Sequence, residues 1–336
     1  MSRRAFAVLA ATGLVVVLLA AVWPWGEGAA GAPETTHVRL ILHWKPQAQF
    51  AGYYAAVEKG FYREHGIDVE VLPGGPDIDS LVWLRSGRAD FATAFLSGAV
   101  KVADGGSPMV NICQVVNRSG LLLVARRGTI ADHEDLDNAR VSLWGTSFEA
   151  AYLGFFDAAG IKPILVPQYY TVNLFLRGGV VACAAMDYNE FHTIIQSGVD
   201  PDELKVIRLR DVGFNFPEDG VYTLAETRRT RAGLCRELAA ATLEGWAWCR
   251  AHPEEALDIV MRRTREAHVP TNRTHQRWML EHVLRAIYPE AGDSWTVGEL
   301  SRIDYERTRA IMIGEGQIDG APAYDEFVAP EARSAP

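Results

Sequence analysis

Cysteine is scarce in this chain. Cys113, Cys183, Cys235 and Cys249 are the four in 336 residues, and they form neither a C-x-x-C pair nor a zinc spacing. Cys235 and Cys249 fall in one expected helix, where a rise of ~1.5 Å per residue sets them roughly 21 Å apart, beyond disulfide reach. A Cys113–Cys183 bond stays open for an exported protein, and buried thiols are the expectation. Basic charge is also in deficit: 33 Lys and Arg stand against 42 Asp and Glu, a formal net charge of −9. With no basic patch, nucleic acid is not an expected partner. No Gly-Lys-Ser/Thr phosphate loop, internal repeat or low-complexity tract appears. Histidines His268, His275 and His282 recur every seven residues, about 10.5 Å along a helix, too far for two to share one ion. No metal or cofactor is called for.

What the chain does have begins at its N-terminus. Arg3 and Arg4 precede Ala5 to Val22, an uncharged and almost wholly apolar run, and Gly28-Ala29-Ala30-Gly31-Ala32 follows. Basic end, apolar core, small residues: this is the order of a secretory signal. The run also borders the length that spans a bilayer, so residues 1–32 are expected to be a signal peptide or an uncleaved membrane anchor. Either way the remainder lies outside the cytoplasm, periplasmic or extracellular.

Beyond that segment, strand and helix patterns alternate. Val38–Leu42, Ile67–Leu72, Ala89–Ala94, Met109–Val116 and Leu121–Ala125 read as strands. The stretches 52–65, 77–86 and 97–104 between them read as helices. A second, similar unit follows, with strands at Ala139–Trp144, Ile164–Gln168, Ala182–Met186, Lys205–Leu209 and Val221–Ala225. From Thr227 onward helical signals dominate. Alternation of this kind predicts an α/β fold of two lobes, each a mostly parallel sheet flanked by helices. The expected division is 37–125 plus 226–330 for the first lobe and 126–225 for the second. The ligand cleft would lie between them.

The densest chemistry sits after the first strand, in His43-Trp44-Lys45-Pro46-Gln47-Ala48-Gln49-Phe50-Ala51-Gly52-Tyr53-Tyr54. In open α/β sheets the carboxyl edge of the strands is where ligands bind. Rings at such an edge stack on a flat ligand, and amides read its rim. Trp44, Tyr53 and Trp144 are the expected rings. Gln49, Gln114, Ser119, Asn189 and Glu190 are the expected readers, with Tyr188 beside them. Ordinary loop capping fits Gln114, Asn117 and Ser119 equally well. The Pro73-Gly74-Gly75-Pro76 turn reads as a tight turn. In Asp187-Tyr188-Asn189-Glu190 a carboxylate is placed to accept from ring NH or amino groups. The competing reading is a capping Asn with a Glu favoured by the helix dipole.

The Trp-x-Pro turn with Gly52-Tyr53-Tyr54, the Lys59-Gly60-Phe61-Tyr62 segment, the Ser86-Gly87-Arg88-Ala89-Asp90-Phe91 step and Tyr188-Asn189-Glu190 together resemble the NMT1/THI5-like and SsuA-like periplasmic solute-binding proteins. The resemblance spans about Val38 to Tyr324. It implies a two-lobed periplasmic binding protein of type II that traps a small molecule and delivers it to the permease and ATPase of an ABC importer. Thiamin-precursor pyrimidines, flavins and sulfonates are the ligands it suggests. Membrane contact would come through the permease or the anchor, and a monomer is expected because the cleft must hinge. An extracytoplasmic sensing module is the alternative. The fungal relatives are pyrimidine synthases, which need a lysine and a histidine after the Gly-x-x-Asp step. Here Asp90 to Gly98 holds neither, so no Schiff base can form there. Their late cysteine cluster is also missing from Gly213 to Pro217. The expectation is a binding protein, not an enzyme.

Overall fold

The computed structural model describes residues 35–145, 148–290 and 295–329. The expected signal segment, and Thr146 and Ser147, lie outside the described residues. Two five-stranded sheets form the frame. The first contains β1 (Thr36–Ile41), β2 (Ile67–Leu72), β3 (Phe91–Ala94), β4 (Met109–Val116) and β10 (Glu218–Leu224), in the order β2-β1-β3-β10-β4. The second contains β5 (Leu121–Arg126), β6 (Arg140–Leu143), β7 (Ile164–Pro167), β8 (Ala182–Met186) and β9 (Leu204–Arg208), in the order β7-β6-β8-β5-β9.

The two orders are the same pattern. In each sheet the first strand laid down after the chain changes sheets inserts antiparallel between two others. β5 does so between β8 and β9, and β10 between β3 and β4. This corrects the expected lobe limits. Leu121–Arg126 belongs to the second sheet and Glu218–Leu224 to the first, so the chain changes sheets before Leu121 and again before Glu218, earlier than the expected points near Arg126 and Ala225. An apolar run such as Leu121–Ala125 satisfies a buried strand in either sheet, and only its pairing tells them apart.

Helices cover both sheets. α1 (Ala51–Lys59), α2 (Ser80–Arg85) and α3 (Leu96–Asp104) belong to the first lobe; α4 (Glu149–Ala159) and α5 (Glu190–Gln196) belong to the second. α6 (Ala232–Ala251), α7 (Pro253–Glu266), α8 (Arg273–Ile287) and α9 (Arg302–Gly314) follow, and α6 and α7 pack on α1. α1 stops where Gly60 takes φ 87°, a left-handed cap. The Asp79 carboxylate caps α2 by accepting from the N–H groups of Leu81 and Val82 at 2.9 and 3.0 Å. No described helix is long and apolar enough to cross a membrane. All four cysteines are buried.

The turn after β2 presses on the end of β1. Gly74 donates to the Trp44 carbonyl at 3.1 Å, and a Cβ on Gly74 would meet the Leu42 carbonyl oxygen at 2.1 Å. Only glycine fits there, which fixes Gly75 and Pro76 beside Trp44 on the rim of the gap between the sheets.

Candidate functional site

A cavity of about 480 Å³ lies between the two lobes, at the carboxyl ends of β1, β3, β6 and β8. That volume lies within the range of small-ligand clefts. Its first wall begins with His43 and Trp44, directly after β1. The His43 backbone N–H donates to Thr93 Oγ1 at 2.9 Å, and the ring Nδ1 meets the same hydroxyl at 2.8 Å. Burial pushes the His43 imidazole down to about 3, so it is neutral. Nδ1 then accepts from the Thr93 hydroxyl, and Nε2–H points at Asp219 Oδ1, 3.2 Å away. Gln49 donates through Nε2 to Asp219 Oδ1 at 3.0 Å and to the Tyr188 hydroxyl at 3.2 Å, while its Oε1 accepts from Gln47 at 2.5 Å.

The second wall comes from Trp144 after β6, Tyr170 after β7, and Tyr188, Asn189 and Glu190 after β8. Glu190 Oε2 accepts from the Met186 N–H at 3.0 Å, and Oε1 accepts from Asn189 Nδ2 at 2.8 Å. The backbone N–H of Glu190 itself also donates to this carboxylate. A carboxylate has about four acceptor sites, so about one remains for a ligand. Burial raises the Glu190 carboxyl above its usual range, while these hydrogen bonds oppose the shift. The Asn189 side chain makes no cap bond to α5. That removes the capping explanation for this residue.

Rings from the two lobes meet across the gap. Trp44 and Tyr170 lie 4.9 Å apart at 49°, and Phe95 and Phe148 lie 4.1 Å apart, edge to face. Behind the cavity, at the point where the chain returns to the first sheet, sit two fully buried carboxyls. Glu218 accepts from Ser119 Oγ at 2.9 Å, from the Gly120 N–H at 2.7 Å and from the Tyr188 hydroxyl at 3.1 Å. Glu218 thus grips the second lobe and the crossing, while its neighbour Asp219 grips His43 and Gln49 of the first. Burial, and then the charge of Asp219, push Glu218 up to about 8; burial pushes Asp219 up to about 7. Asp219 sits at φ 42°, and its Oδ2 is buried without a partner among the described residues.

Six of the nine expected contact residues line the cavity: Trp44, Gln49, Trp144, Tyr188, Asn189 and Glu190. Three do not. Tyr53 is fully buried in the core, packed edge-on against Trp246 with ring centroids 6.1 Å apart. It lies on α1, past the turn that carries the edge residues. Gln114 lies inside β4, where Nε2 donates to the Glu218 carbonyl and, at 2.9 Å, to that of Val116. Ser119 belongs to the crossing and serves Glu218. Gln114 and Ser119 are therefore structural groups at the hinge. Phe95, Phe148 and Tyr170 line the cavity without having been singled out. Phe95 and Tyr170 follow β3 and β7, so the strand-edge rule that found Trp44 and Trp144 reaches them too.

Two sheets of matching order, joined by paired crossings and separated by a lined cavity, define a two-lobed binding protein of the periplasmic type. The fold of the periplasmic aliphatic sulphonate binding protein SsuA from Escherichia coli is the same, with a TM-score of 0.67 at 16% identity over 88% of this chain and 92% of that one. The sequence pattern described as NMT1/THI5 like matches residues 47–256, and the chain belongs to that family. The riboflavin-binding protein RibY of Chloroflexus aurantiacus is 26% identical over 313 residues, 88% of this chain and 87% of that protein. The formylaminopyrimidine-binding protein of Halalkalibacterium halodurans is 24% identical over 250 residues, 69% and 72% of the two chains. A Saccharomyces cerevisiae 4-amino-5-hydroxymethyl-2-methylpyrimidine phosphate synthase is 20% identical over 114 residues, only 33% of this chain.

Proposed function

We propose that this protein captures a small planar heterocycle, an aminopyrimidine or a related ring compound, outside the cytoplasm and delivers it to an ABC importer. The observation that carries the reading is the convergence of two ring-and-amide walls on one cavity. Trp44, Tyr170 and Trp144 supply flat apolar faces, and Glu190 supplies an acceptor site at the edge. An amino group or a ring N–H is the donor such a carboxylate takes. A sulfonate would ask for a cluster of donors. The polar groups of the second wall instead present an anion, Glu190, flanked by the amide of Asn189. The named ligands of the bacterial relatives, riboflavin and formylaminopyrimidine, are both flat nitrogen heterocycles, in keeping with this lining.

Binding holds the lobes together by favouring the joined arrangement over the parted one, and a permease reads that difference. No reaction is proposed, because the lysine that a pyrimidine synthase needs is missing from the Asp90–Gly98 stretch. The test is thermal denaturation and calorimetry of the mature protein against formylaminopyrimidine, riboflavin and an alkanesulfonate. A true ligand at a hundredfold excess over its Kd adds about 2.7 kcal/mol of stability. Stabilisation by a ring compound is the expected result; stabilisation by the sulfonate alone overturns the reading.

A further inference from the structure

One hydrogen-bonded chain runs from the cavity to the contact between the lobes. It passes through His275, on α8, a helix that packs against the Ala48–Phe50 turn and β4 of the first lobe. His275 Nε2 lies 3.0 Å from Asn189 Oδ1, and its Nδ1 lies 2.9 Å from His192 Nδ1 on α5 of the second lobe. The His192 and His275 rings are parallel, 5.1 Å apart, and Trp278 stacks on His192 at 4.5 Å.

With Glu190 ionised, as the ligand reading takes it, the chemistry permits one arrangement of protons. The Asn189 amide must turn its nitrogen toward Glu190 Oε1, because the reverse would set two oxygens 2.8 Å apart. Its Oδ1 therefore faces His275 and can only accept, so Nε2 of His275 carries the hydrogen. Neutral His275 then has a bare Nδ1, and His192 must donate to it from its own Nδ1. The direction is fixed throughout: His192 to His275, His275 to Asn189, Asn189 to Glu190.

We propose that His275 is a positioning residue, which reaches from the first lobe through Asn189 to orient the cavity carboxylate Glu190 of the second. The proposal rests on the reading of Glu190 as the ligand's acceptor. It adds that this acceptor is held in place by the meeting of the lobes, so that recognition and closure act on each other. A lobe pair that parts takes His275 away from Asn189, and the amide is then free to rotate off the carboxylate.

Burial, and then His192, push His275 down to about 4, which keeps it neutral and the chain intact at ordinary pH. Protonating it would place a second N–H against that of His192. The other titratable groups nearby are Glu190 across Asn189, and His282, which stacks on Trp278 and feels the charge of His192. Glu281 and Arg285 act on His282. No ion pair joins His192 or His275 to a carboxylate among the described residues.

The experiment uses the mature protein labelled for nitrogen and carbon NMR, in wild type, His275→Ala and His275→Gln. Imidazole spectra of the wild type should show His275 protonated at Nε2 and His192 at Nδ1. In His275→Ala the Glu190 carboxyl should titrate at higher pH than in wild type, because its Asn189 donor is loosened. Affinity for formylaminopyrimidine should fall about tenfold, the scale of one lost hydrogen bond. In His275→Gln the amide nitrogen occupies the place of Nε2, so the Glu190 titration should return to the wild-type value and affinity to within about threefold. An Nδ1-protonated His275, or a Glu190 titration identical in wild type and His275→Ala, overturns the proposal. If wild type binds no ring compound yet Glu190 still follows His275, the ligand reading fails while the relay stands.

Discussion

Trp44 follows β1 of one sheet and Trp144 follows β6 of the other, so the two walls of the cleft begin alike. They diverge in what lies behind the rings. Behind Trp44, the polar groups are already engaged with each other: His43 with Thr93 and Asp219, Gln49 with Gln47, Tyr188 and Asp219, and the Ala48 N–H with Gln276 at 2.6 Å. Behind Trp144, Glu190 holds three donors, the N–H groups of Met186 and of Glu190 itself and the Asn189 amide, and keeps about one acceptor site. On the cavity face the first wall supplies shape and rigidity and the second supplies the open valence; Asp219 Oδ2, without a partner among the described residues, is buried behind the first wall and does not line the cavity. A preorganised wall lowers the entropy lost on binding, and one carboxylate with an acceptor site to spare then has a large share in selectivity.

The sharpest way to break that contrast is to remove the open valence. Glu190→Gln puts a donor where a carboxylate faced the Met186 N–H and the Asn189 amide. The expected outcome is a loss of roughly a hundredfold in affinity for an aminopyrimidine, about 3 kcal/mol, the upper range for a hydrogen bond to a charged group. Calorimetry would read it, and an unchanged Kd would remove Glu190 from the ligand. The matching change in the first wall is Gln49→Leu. It strips partners from Gln47, Tyr188 and Asp219, so its main effect should be on the fold: about 2–3 kcal/mol of stability by urea titration, at 1–3 kcal/mol per buried group left unpaired. Were Gln49→Leu to reduce affinity while leaving stability untouched, the division of labour between the walls would be wrong.

Much of this arrangement was legible from the residues. Strand and helix periodicity located both sheets, and the strand-edge rule located Trp44, Trp144 and the Tyr188-Asn189-Glu190 step. The rule misled at Gln114 and Tyr53 for one reason. It applies to the first residues beyond a strand, whereas Gln114 is inside β4 and Tyr53 is already on a helix. The Glu218–Asp219 pair gave no local signal. Two adjacent acids ordinarily read as a solvated turn; only the return of the chain into the first sheet buries them between the lobes. His275 was visible as part of a heptad stripe, but its partner His192 is 83 residues away and no spacing connects them.

The hinge carboxyls offer a smaller and pH-dependent test of the same contrast, since they join the two walls. Burial, and then the charge of Asp219, push Glu218 up to about 8 in the folded chain from an ordinary value of 4.5. Between those values the folded state holds a proton that the unfolded state has lost, so stability falls as pH rises through that window. Glu218→Gln removes the titrating carboxyl and should flatten part of the decline, Asp219 keeping the rest, and leave the variant about 1–2 kcal/mol ahead of wild type at pH 8 relative to pH 5. The figure is below that of an isolated buried carboxyl because Asp219 shares the titration. His43 works with the opposite sign: its folded value near 3 lies below the ordinary 6.5, so its contribution rises as pH climbs from 3 to 6.5. Denaturant midpoints at several pH values separate the two. A Glu218→Gln curve parallel to wild type would sink the hinge account.

The smallest effect should come from the ring that lies behind the first wall rather than in it. Tyr53 is fully buried, edge-on to Trp246, and its hydroxyl has no hydrogen-bond partner among the described residues. A buried hydroxyl without a partner has lost its water and gained nothing in return. Tyr53→Phe keeps the ring, its packing and its area, and removes only that unmatched group. The change should therefore be neutral to slightly stabilising, within about 0.5 kcal/mol, with ligand affinity unaltered. A tenfold drop in affinity would mean that the hydroxyl reaches the ligand after all. The first wall would then hold an open valence of its own, and the contrast between the two walls would lose its basis.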